Sequence, residues 1–130
     1  MKQVNFAAAT AAGFPELHVK GWALDTPGLY AWNDTSVGVM SWCLVHAESG
    51  WLITRGVKRD DLIELANRFT AHEIDFTLSV KALGPFMWLM HEIIRDWFGW
   101  MNDKYHPYVE ADYVPKKKEI PIRRFRWGRK

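Results

Sequence analysis

Val37-Gly38-Val39-Met40-Ser41-Trp42-Cys43-Leu44-Val45-His46 is a long apolar run, and Trp51-Leu52-Ile53-Thr54-Arg55-Gly56-Val57 follows it after four residues. Those four, Ala47-Glu48-Ser49-Gly50, read as a hairpin loop, with glycine where a positive φ is expected. The two runs therefore read as a central strand and the neighbour that returns beside it. A sheet built outward from this hairpin decides the fold class.

Upstream, Leu17-His18-Val19-Lys20-Gly21-Trp22-Ala23-Leu24 alternates. Leu17 and Val19 take one face, and His18, Lys20 and Trp22 take the other. Asp25-Thr26-Pro27-Gly28 is a turn, since proline presets φ and glycine tolerates positive φ. Leu29-Tyr30-Ala31-Trp32 is a short strand, closed by Asn33-Asp34-Thr35-Ser36. Before it, residues 1–16 read as loosely ordered, and the alanines between Asn5 and Ala12 allow one or two helical turns. That stretch is too short and too mild for the core of a secretory signal.

Downstream, Asp60 is the expected N-cap of a helix with Leu62, Ile63, Leu65, Ala66 and Phe69 on one stripe, ending near His72. Ile74-Asp75-Phe76-Thr77-Leu78-Ser79-Val80 alternates strictly and reads as a half-buried strand, with a continued helix as the alternative. Gly84-Pro85 then opens a second helix, Phe86 to about Lys104. Its polar face is narrow, so it is expected to be nearly surrounded. His106-Pro107, Val114-Pro115 and Ile120-Pro121 block regular helix beyond it. Tyr105 to Tyr113 reads as a loop.

The resulting expectation is an α+β fold in the order ββββ-α-β-α. An antiparallel sheet of four to five strands carries two helices on one face, with an extended basic C-terminal arm. The sheet's other face, holding residues such as Trp22, is left to solvent or to an interface. Residues 1–16 are a loose segment, residues 17–113 a single α+β domain and residues 114–130 a basic tail. The chain has 130 residues, 48% of them hydrophobic, with 19 aromatics. That is enough for one core without staples. No run reaches the roughly 18 apolar residues of a membrane-spanning helix, so no transmembrane segment is expected. One cysteine excludes an internal disulfide framework and points to a reducing, cytoplasmic setting.

The net charge of +2 hides an asymmetry. Residues 114–130 carry +7 and residues 1–113 carry −5. In the tail, Lys116, Lys117, Lys118, Arg123, Arg124, Arg126, Arg129 and Lys130 interleave with Phe125 and Trp127. Clustered cations neutralise phosphates and release counterions, and aromatics stack on unpaired bases. These ten residues are the expected site for nucleic acid or for an acidic partner. A solvated tail is the plain alternative. Trp88, Trp97 and Trp100 on the second helix are candidates for a protein interface, against the plain reading of a core helix. They also allow a homodimer.

Catalytic and metal motifs fail on spacing. His91-Glu92 begins like a zinc-protease helix, but Arg95 stands where the second histidine must be. Cys43 and His46 are three apart in a strand and point to opposite faces, so they form no nucleophile–base pair. The five histidines show no ligand spacing, and no glycine-rich phosphate loop or Gly-x-Ser-x-Gly elbow occurs. No cofactor and no metal are expected. Three functions remain. The first is a small non-catalytic binding protein that engages nucleic acid or a nucleoprotein assembly through its tail. The second is a protein–protein inhibitor or adaptor, of the kind mobile elements carry as accessories, acting through the acidic, Trp-rich body. The third is an enzyme with a dispersed site where His46 or His91 meets a carboxylate.

Overall fold

A computed structural model of the chain describes residues 1–8 and 17–105. The tail residues 114–130, and most of the loop expected before them, lie outside the described residues. The chain divides into two compact units, Met1–Trp97 and Phe98–Lys130. The first unit holds a five-stranded antiparallel sheet: β1 (Lys2–Ala8), β2 (Leu17–Ala23), β3 (Leu29–Asn33), β4 (Trp42–His46) and β5 (Leu52–Gly56). The strands lie in sequence order, each paired with the next. α1 (Arg59–Ala71) follows, then one helical turn, α2 (Val80–Leu83), a 3₁₀ turn at Gly84–Phe86, and α3 (Met87–Tyr105). Of the second unit, the described residues are the last turns of α3.

The hairpin around Ala47–Gly50 forms as its sequence demands, with Gly50 at φ 74° and its N–H donating to the His46 carbonyl at 2.7 Å. Gly28 closes the β2–β3 turn at φ 90°, where a side chain would also run into the Phe76 backbone. α1 lies on β3, β4 and β5. Its Leu62, Leu65, Ala66 and Phe69 are buried with Leu29, Ala31 and Leu44 of the sheet and Met90, Ile93 and Trp97 of α3. Fully burying each large apolar side chain stabilises by about 1.5–3 kcal/mol. Trp97 sits deepest. Its indole N–H donates to the Asp61 carbonyl at 2.7 Å, and Gly56 leaves room for its ring and for Leu62.

Five expectations about the elements are corrected. Lys2–Ala8 is a strand rather than a loose or helical segment. Its Phe6 packs on Tyr30 with ring centroids 5.0 Å apart, and pairing along the whole of β2 outweighs alanine's helical preference. Val37–Ser41 is loop, not strand. Gly38 takes φ 94°, the Asp34 carboxylate accepts from the Ser36 N–H and hydroxyl, and Val39 is 77% exposed. Residues 74–79 are not a strand either. Asp75 accepts from the Thr77 N–H at 2.9 Å and hydroxyl at 2.6 Å, a local turn that competes with a ladder. The alternation survives there because Ile74 and Phe76 plug the core, with the Phe76 ring tilted against that of Phe69 at a centroid distance of 5.0 Å.

The fourth correction concerns the cap of α1. Lys58 holds the N-cap position, and Asp61 accepts its N–H at 2.9 Å, so the acid three residues in, not Asp60, ties the end. The fifth concerns α3, which is less enclosed than its composition implies. Trp88 is 73% exposed and Phe98 40%.

Candidate functional site

His46 is fully buried at the end of β4. Its Nε2 lies 2.8 Å from the Leu78 carbonyl, which only accepts, so Nε2 carries the proton. Nδ1 then accepts from the Ser49 hydroxyl at 2.8 Å, and Ser49 Oγ accepts the Trp51 N–H at 3.1 Å. The histidine ties the β4–β5 turn to the 74–79 loop. Its ring partners are a serine and a carbonyl, not a carboxylate. His91 is exposed on α3.

Cys43 points to the side of the sheet away from α1, between Trp32 and Arg55 on the flanking strands. Burial pushes its thiol pKa up, against a smaller opposing effect of Arg55. Such a thiol is protonated at neutral pH and a poor nucleophile. Arg55 Nη2 meets Asp34 Oδ2 at 3.4 Å. The Ser36 hydroxyl, more than Arg55, holds the Asp34 carboxyl below the usual range. Among the described residues no three His, Cys, Asp or Glu side chains gather as a metal site.

The three tryptophans of α3 differ in exposure. Trp97 is a core residue, Trp88 stands in solvent, and Trp100 is half-buried with the Lys104 ammonium 5.1 Å over its ring. The ten tail residues from Lys116 to Lys130 lie outside the described residues.

A surface that no sequence motif marks lies on the α1 side of β1 and β2. Register places Gln3 opposite Trp22, Asn5 opposite Lys20 and Ala7 opposite His18. Trp22 pairs with Ala31 of the core face, and the Arg59 guanidinium of α1 lies 4.9 Å over its ring. The helices and Trp22 therefore share a side, which corrects the placing of Trp22 on the sheet's other face. Gln3, Asn5, His18 and Lys20 are exposed there, since α1 lies mainly on β3 to β5 and reaches β2 at Trp22 through Arg59. The alternation of His18, Lys20 and Trp22 was the available signal; which side the helices would take was not in it. Compared with family models, with curated proteins and with solved structures, the chain finds no match in any of the three.

Proposed function

We propose that this chain is a small non-catalytic binding protein that engages nucleic acid or a nucleoprotein assembly through residues 114–130. The observation that carries the reading is the charge separation: +7 in those seventeen residues against −5 in the rest. Phe125 and Trp127 among the arginines add stacking to electrostatics. The engagement of both His46 ring nitrogens supports a structural role for that residue. One free, buried cysteine supports a cytoplasmic setting.

The test replaces Arg123, Arg124 and Arg126 by Gln in the full chain and follows oligonucleotide binding by fluorescence anisotropy across a salt series. Affinity of the unaltered chain should fall steeply with salt, and the variant's slope of log K against log salt should be smaller by about 0.7–0.9 for each phosphate no longer neutralised. Equal binding by both chains would remove the tail from the account. A second reading, an inhibitor or adaptor working through the acidic body, is favoured by the exposure of Trp88 at the start of α3. It requires a protein partner, or a second copy, whose binding survives the tail substitutions and is lost in Trp88→Lys.

A further inference from the structure

β2 pairs with β3 at Trp22–Ala31 and Ala23–Tyr30, whereas β1 and β2 stay paired as far as Ala8–Leu17. A two-stranded arm thus continues past the end of β3. An open pocket of about 560 Å³ at this arm is lined by Asn5, Phe6, Ala7, His18, Val19 and Lys20. On the α1 side the arm offers Gln3, Asn5, His18 and Lys20, all exposed, and leads to Trp22, half-buried beneath Arg59. Asn33 and Trp42, cross-strand partners two residues on from Ala31 and Leu44, lie on the same side. Lys58 is exposed beside Arg59, and Asp60 is the exposed acid next to them.

This is an unusual composition for a protein interface, whose centre is normally apolar. It offers a flat aromatic, amides that donate and accept, and cations from two elements: Lys20 of β2, and Lys58 and Arg59 at the start of α1. A polyanion made of flat, hydrogen-bonding units complements all three. Phosphates suit the cations, a base suits the Trp22–Arg59 stack, and base edges suit Gln3 and Asn5. A duplex keeps its bases stacked on one another and presents edges and backbone, leaving the Trp22–Arg59 stack without a base face to pack on. We infer that the α1-side surface of β1 and β2 binds single-stranded nucleic acid. The inference rests on reading the chain as a nucleic-acid binder, and it gives the body, not the tail alone, a part in contact and in strand choice.

The test uses the full chain with a labelled oligothymidylate, an oligouridylate and a duplex, over about 50 to 200 mM salt. The double variant Lys20→Glu, Arg59→Glu changes exposed or half-exposed groups, and an acid at the first position of α1 suits the helix end, so folding is preserved. It should weaken single-strand binding at least tenfold and lower the salt slope by about 1.4, two phosphates at about 0.7 each. Trp22→Leu should lose about fivefold or more, the scale of one stacked base, while Trp22→Phe retains binding. Single-strand binding unchanged by the double variant would overturn the surface while leaving the tail reading intact. Tighter binding to duplex than to single strands, equally sensitive to the double variant, would overturn the strand preference. Binding lost in the double variant but kept when Arg123, Arg124 and Arg126 are Gln would uphold the surface and remove the tail. No binding of any probe by the unaltered chain would end both.

Discussion

Asp34 shows how one side chain organises a loop. Its carboxylate accepts from the Ser36 hydroxyl at 2.6 Å, from the Ser36 N–H at 3.2 Å and from Arg55 at 3.4 Å. Its pKa is lowered, chiefly by the Ser36 hydroxyl. A carboxyl whose folded pKa lies below its unfolded one stabilises the fold above the unfolded value, about 4, and loses that contribution as pH falls through the folded value. Asp34→Asn should therefore cost about 1 kcal/mol at neutral pH, since the pair is partly exposed, and the gap to the unaltered chain should close in acid. Urea unfolding at neutral pH and at about pH 3 measures it. A gap of the same size at both would mean that the charge contributes nothing. Arg55 raises the stake, because its Nη1 is already buried without a partner and its Nη2 meets Asp34.

At the scale of elements, the junction from β5 into α1 joins sheet to helices. Gly56 meets Leu62 and Trp97, Asp61 ties back to the Lys58 N–H, and the Asp61 carbonyl takes the Trp97 indole N–H. Asp61→Ala should cost about 1–2 kcal/mol through the lost cap. Gly56→Ala should cost about 1–3 kcal/mol, because the added carbon would stand 3.1 Å from the Leu62 side chain in a packed core. Thermal unfolding of the two variants checks both numbers, and a Gly56→Ala chain as stable as the original would show that the junction has slack. The hairpin at Ala47–Gly50, the stripe of α1 and the start of α3 near Pro85 were legible because period and turn chemistry act locally. β1 and the 74–79 loop were not. Val4 and Phe6 become strand residues only because β2 is there to pair with them, and Ile74 and Phe76 alternate for reasons of burial rather than of hydrogen bonding. The surface around Trp22 was half legible: its alternation was plain, but its side depended on where α1 came to rest.

For the whole molecule, the unequal cover of the sheet matters most. α1 spans β3, β4 and β5, and β1 and β2 are left to do something else. The polar arm and the basic tail then give the chain two cationic regions on a body of net negative charge, so ionic strength should govern its associations more than its stability. The order of the strands carries one more consequence. Each strand pairs with the next in sequence, so no long crossover has to close before the sheet can form. Contacts that are near in sequence form quickly, and refolding monitored by tryptophan fluorescence should be complete in about milliseconds. On a ribosome the same order means that β1 through β5 can zip up as they emerge, before α3 is made. Trp97 arrives late, as a latch on a core whose sheet and first helix are already made.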